Sequence, residues 1–183
     1  MTKRPGMGAG ESVSSRWWAL RMAAAACAWA VLFAALSFFW AAGGRTGLQP
    51  LEQPPASSRA VWLVADLAAG ILKIGGGLLA LALVRTGEHR RIHRMMLAAA
   101  WIGGVGLCLY GGLGLVSDVL HVAGIINDPA TRKWFFWYLV LWDPWFVLGG
   151  VLYVATAWFT RRSDAELAAA HSRSTRAEGK EPR

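Results

Sequence analysis

Four long apolar runs, separated by short polar segments, organise this chain. They lie at Trp17–Gly43, Ala60–Val84, Met95–Val122 and Trp134–Phe159. Each approaches or exceeds the roughly 20 residues needed to cross about 30 Å of hydrocarbon as a helix. The pattern predicts an all-α fold, a four-transmembrane-helix antiparallel bundle. A disordered tail (residues 1–16) precedes a membrane domain (17–160), and a polar tail (161–183) follows it. Gly43-Gly44 is expected to turn the chain sharply, Gln49-Pro50 and Gln53-Pro54-Pro55 to hold the first loop open, and Asn127-Asp128-Pro129 to join spans three and four. Ser163-Asp164-Ala165-Glu166 reads as a helix start, continuing through Leu167–His171. The first run is far longer than the apolar core of a cleaved signal peptide, so it is expected to remain as a span.

Within the runs, small and polar residues recur at helical spacing. Lipid supplies no hydrophobic force between helices, so such faces mark close packing. Span one carries Ala23, Ala30, Ala34, Ser37, Ala41 and Gly44; span two carries Asp66, Gly70, Lys73, Gly77 and Ala80. Span three carries Gly104, Gly111, Gly114, Asp118 and His121, and span four Phe136, Asp143, Gly150 and Ala157. The opposite side of span two, at Leu67, Ile71, Ile74, Leu78 and Leu81, suits lipid. Short connections predict that spans two and three, and spans three and four, are neighbours.

Composition agrees: 55% of the residues are hydrophobic. The net charge of +8 would suit nucleic acid, but its placement argues for topology instead. Fourteen of the 19 Lys and Arg residues lie beside the N-terminus, between spans two and three, or after span four. Positive loops stay inside, which predicts cytoplasmic ends and a cytoplasmic Arg85–Arg94 loop. The expected partner is the lipid bilayer, joined by a membrane protein or a second copy of the chain, with no nucleic acid. Of the 11 tryptophans, Trp17, Trp18, Trp40, Trp62, Trp134, Trp137 and Trp158 fall near span ends, where amphipathic rings favour the headgroup zone.

Ionisable residues within a span are costly and are paired, solvated or functional. At about 1.5 Å per residue, Asp66 lies about 9 Å below the outer end of its span, Asp143 about 14 Å and Lys73 about 20 Å. Asp118 and His121 approach the same surface from span three. Asp66, Lys73, Asp118, His121 and Asp143 thus form a candidate polar cluster in the outer half, with Lys73 and Asp143 as the natural ion pair. Trp40, Trp142 and Trp145 are candidate pocket walls. Nothing here specifies a catalytic residue, a metal or a cofactor. Cys27 and Cys108 are separate packing residues, and His89 and His93 sit among arginines on what reads as a solvated basic face. Gly75-Gly76-Gly77 lacks the Lys-Ser/Thr of a phosphate loop and reads as a packing site. These features favour a binding, transport-accessory or assembly role. The alternative is a membrane enzyme using Asp143 and His121 on a lipid-soluble substrate.

Ser37-Phe38-Phe39-Trp40-Ala41-Ala42-Gly43-Gly44, with Leu141-Trp142-Asp143-Pro144-Trp145-Phe146-Val147-Leu148-Gly149-Gly150, resembles a family of uncharacterised four-span bacterial membrane proteins. In that family an aromatic-Trp-x-x-Gly-Gly segment closes span one. The resemblance covers roughly residues 17–160 and implies the same fold in a bacterial inner membrane, with no activity attached. It also implies a histidine in many members where this chain has Ser37, so proton handling at that position is not expected here.

Overall fold

The computed structural model describes residues 7–44, 58–85, 90–126 and 138–178. Four helices account for nearly all of them: α1 (Met7–Ala41), α2 (Arg59–Arg85), α3 (Arg90–Val122) and α4 (Asp143–Glu178). A π-helical turn, Tyr138–Trp142, leads directly into α4. All four are long and apolar enough to cross a membrane. The expected prolines of the first loop, the Asn127-Asp128-Pro129 turn, Phe136 and His89 lie outside the described residues.

Two helix ends are set by glycine. After α1, Gly43 adopts φ 97°, its N–H donates to Trp40 O (2.8 Å), and the N–H of Gly44 donates to Phe39 O (2.9 Å). After α3, Gly124 at φ 72° repeats the arrangement: its N–H donates to His121 O (3.1 Å) and that of Ile125 to Leu120 O (3.0 Å). Both are Schellman caps, which satisfy the last carbonyls and need a residue free of a Cβ at the left-handed position.

The helices lie in the order α2–α1–α4–α3, each antiparallel to its neighbour. α1 packs along both α2 and α4, α3 packs on α4, and α2 and α3 scarcely meet. The neighbour relation expected of spans two and three is therefore not formed. The small-residue face of α2 is taken up by α1: Gly70 faces Phe38, and Gly77 faces Ala30 and Cys27. That of α3 is taken up by α4, where Gly104 and Gly150 bring the two backbones together. Each outer helix has one such face and spends it on one neighbour, so loop length does not decide the pairing.

Burial follows the inward faces assigned from spacing. Ala23, Ala30, Ala34 and Ser37 of α1 are buried, as are Gly70, Gly77 and Ala80 of α2 and Gly104, Gly111 and Asp118 of α3. Larger apolar residues point outward: Leu72 is 78% exposed and Ile102 75%. Small residues inside and bulky ones outside suit a hydrocarbon surround rather than water. An aromatic core joins α1 to α4, where Trp29 and Phe33 pack on Trp142, Trp145, Phe146 and Tyr153. The Trp29 indole Nε1 also donates to Trp145 O (3.0 Å).

Two terminal expectations change. Helix α1 already begins at Met7, because no proline follows Pro5 and extending an existing helix costs far less than nucleating one. Helix α4 passes unbroken through Ser163, so no new helix starts there. Its 36 residues span about 54 Å, well beyond the hydrocarbon thickness. The extension is held by polar contacts between helices: Ser15 Oγ donates to Glu166 Oε2 (2.5 Å) and His93 Nε2 to Asp164 Oδ2 (2.8 Å).

Candidate functional site

The polar residues within the spans fall into two groups, on opposite sides of the α1–α4 aromatic core. The first lies between α1 and α2. Lys73 Nζ donates to Ser37 Oγ (2.6 Å) and stands 3.7 Å over the Phe33 ring. Asp66, half-buried two turns away on α2, adds a longer-range attraction. The Lys73–Asp143 ion pair expected from charge complementarity is not formed. α2 and α4 are separated by α1, and Phe33 stands between the ammonium and the α4 aromatics, 6.1 Å from Trp142 and 5.3 Å from Phe146 between ring centres.

The second group lies between α3 and α4. The carboxyl groups of Asp118 and Asp143 lie close enough to interact, the Asp143 carboxyl filling the space at Gly114 one turn before Asp118, and His121 is near enough to act electrostatically on Asp118. Both acids are buried, Asp143 at 3% exposure and Asp118 at 7%. Ionised carboxylates only accept hydrogen bonds, so two carboxyl groups this close can bond to each other only where one of them keeps a proton. Asp118 Oδ2 is buried and accepts no hydrogen bond from a described donor. His121 Nδ1 turns to its own helix, donating to Ser117 O (2.8 Å).

The local sequence explains how Asp143 comes to face α3. Pro144 has no N–H, so it cannot close the usual backbone bond to the turn before it. The chain widens there into the π turn Tyr138–Trp142, with Trp142 and Asp143 buried at the junction. On the α3 side, Gly114 makes the room. A Cβ at that position would collide with the Asp143 carboxyl, and one at Gly111 would meet the Asp143 carbonyl oxygen at 2.5 Å.

The aromatic candidates divide differently. Trp142 and Trp145 line an open groove of about 430 Å³ with Leu32, Phe33, Leu36 and Phe39, between α1 and the start of α4. Trp40 packs on Trp142 (5.4 Å between ring centres) and is not part of the wall. Neither Asp143 nor His121 borders this groove. Among the described residues no group of three His, Cys, Asp or Glu side chains could hold a metal ion. The cysteines pack: Cys27 lies against Gly77, and Cys108 Sγ donates weakly to Val147 O (3.8 Å). Gly76 admits the Tyr153 hydroxyl and Gly77 admits α1, while Gly75 faces open space.

Sequence reasoning missed three contacts. Ser37 as the partner of Lys73 and the approach of Asp143 to Asp118 both follow from helix order. The short connection between spans three and four was a signal for the second. His93 is the third: its side chain is only 15% exposed and bonded to Asp164, not part of a solvated basic face.

This architecture defines a class: a small all-helical protein with four membrane-spanning helices and buried polar residues between them. A family model described as "Protein of unknown function (DUF3995)" matches residues 30–153, more than half of the chain, and the chain belongs to that family. The matched stretch includes both intramembrane polar groups. No curated protein and no solved structure matches the chain.

Proposed function

We propose that this chain is a multi-pass protein of the bacterial inner membrane, with both ends in the cytoplasm, and that Asp118 and Asp143 form a proton-holding pair near its outer face. Its role on this reading is binding, transport-accessory or assembly, ahead of catalysis. One observation carries the proposal: two buried carboxyl groups side by side on facing helices, with the Asp143 carboxyl against Gly114 and Asp118 Oδ2 accepting from no described donor. A purely structural acid in an apolar span would be matched by a cation or by full hydrogen bonding. The described ion pairs include neither acid, although His121 acts electrostatically on Asp118, and two adjacent carboxyl groups can hold one proton between them. In favour of the orientation is the concentration of arginines at the opposite end of the bundle.

The enzyme alternative requires an acid or base beside an apolar substrate pocket. Against it, the groove walled by Trp142 and Trp145 and the carboxyl pair belong to different helix interfaces.

The test uses sealed proteoliposomes of uniform orientation and the infrared absorbance of protonated carboxyl groups. The absorbance should follow a change of external pH and disappear in Asp143→Asn. A signal that follows only the internal pH, or neither, contradicts the proposal.

A further inference from the structure

At the end of the bundle opposite the carboxyl pair, all four helices border one polar cavity of about 180 Å³. Arg16 and Ala19 come from α1, Leu83 and Arg85 from α2, His93 from α3, and Thr160, Ser163 and Asp164 from α4. Its chemistry is unbalanced. Among the described residues neither arginine forms an ion pair; the two that exist are His93 with Asp164 and Arg162 with Glu166. Ser163, 7% exposed, has no hydrogen-bond partner among the described residues. His93 gives Nε2 to Asp164, and its Nδ1 is buried without a partner. Thr160 is the exception, since its hydroxyl donates to Thr156 O (2.8 Å) on its own helix. Two arginines, a serine and a histidine therefore border one space whose one carboxylate among the described residues, Asp164, is already engaged.

The depth of the cavity matters as much as its charge. Arg16 opens the apolar stretch of α1, Arg85 is the last residue of α2, and Thr160 and Ser163 follow the end of the apolar stretch of α4. These are the positions at which a spanning helix passes from hydrocarbon into the headgroup layer. A basic pocket between helix ends at that depth suits a lipid phosphate, with the acyl chains remaining in the membrane.

We infer that this four-helix cavity is a binding site for a phosphate group, which Arg16 and Arg85 neutralise while Ser163 and His93 donate hydrogen bonds to it. The same chemistry is offered by the phosphodiester of an anionic phospholipid and by free inorganic phosphate. Planar guanidinium groups meet phosphate oxygens in pairs, which a lysine would not reproduce. The inference does not rest on the carboxyl pair, which lies at the other end of the helices.

The experiment takes the full chain in nanodiscs. In one arm, mixed phosphatidylglycerol and phosphatidylcholine discs are used, and lipid retained by the released protein is counted by native mass spectrometry. In the other, inorganic phosphate is titrated against protein in phosphatidylcholine discs and thermal unfolding is followed. Arg16→Gln and Arg85→Gln should each weaken binding roughly five-fold, while Arg91→Gln, which removes an equal charge outside the cavity, should not. Ser163→Phe fills the space with both arginines in place and should abolish binding, which decides the matter if the arginine variants fail to fold. Preferential retention of phosphatidylglycerol identifies the lipid as the source; stabilisation by phosphate alone identifies the free anion. Either result, lost in the cavity variants, supports the site. Equal loss in Arg91→Gln, binding unaffected by Ser163→Phe, or no response in either arm overturns it.

Discussion

Replacing Gly111 with alanine should destabilise the protein, while the same change at the adjacent Gly112 should not. A Cβ at Gly111 would meet the Asp143 carbonyl oxygen at 2.5 Å, Phe146 Cβ at 2.9 Å and Val147 Cγ2 at 3.0 Å. One of these is backbone and another is the first atom of a side chain, so rotamer changes cannot clear them. α3 must move away from α4, and overpacking of this kind costs about 1–3 kcal/mol. At Gly112 the added carbon meets nothing within 4 Å. Both variants gain the same helix propensity, about 1 kcal/mol, so that gain cancels in the comparison. What remains is the steric cost at the α3–α4 contact, and about 2 kcal/mol would be more than tenfold in the unfolding equilibrium. The assay is reversible unfolding in mixed micelles, with helicity followed as denaturing detergent is added. Equal stability of the two variants would refute the close approach of α3 and α4, and with it the placing of Asp143 beside Asp118.

Other predictions follow from single contacts. Ser37→Ala should cost about 1–3 kcal/mol, since it removes the hydrogen-bond acceptor of the Lys73 ammonium; Ser37→Ala in a Lys73→Met background should cost much less, and a double-mutant cycle measures the difference. Trp29→Phe should cost about 1 kcal/mol through loss of the indole bond to Trp145 O, whereas Trp29→Ala should cost about 3–5 kcal/mol because it also empties the space over Gly149. Lys73→Met and Asp143→Asn should behave additively in the same unfolding assay, as residues on non-adjacent helices do; coupling above about 0.5 kcal/mol would indicate the ion pair that the helix order excludes. Reporter fusions in the Arg85–Arg94 loop should read cytoplasmic, and an external signal would invert the proposed topology.

Much of this architecture could be read from residue spacing. The glycine and alanine positions of α2 and α3 identify the buried face of each helix, because in lipid only small residues let backbones approach. Gly43 could be read as a turn because a left-handed cap needs it. Helix order could not be read in this way. A face at Gly70 and Gly77 says that something packs there, not that the partner is α1. That gap produced the misplaced Lys73–Asp143 pair: opposite charges at similar depth look complementary until α1 is found between them. The link between Asp118 and Asp143 looks unfavourable as two charges and becomes reasonable only when one proton is shared. His93 was hidden by its arginine neighbours in sequence, because its partner Asp164 is 71 residues away, on a helix expected to have ended.

The proposed sharing of one proton between Asp118 and Asp143 is addressed directly by infrared spectroscopy of the protein in lipid at neutral pH. The account predicts a protonated-carboxyl band in the wild-type chain that is lost in both Asp118→Asn and Asp143→Asn, because an asparagine amide can donate to the remaining carboxylate in place of the proton. A wild-type spectrum without that band, or a band that persists in both variants, would contradict it.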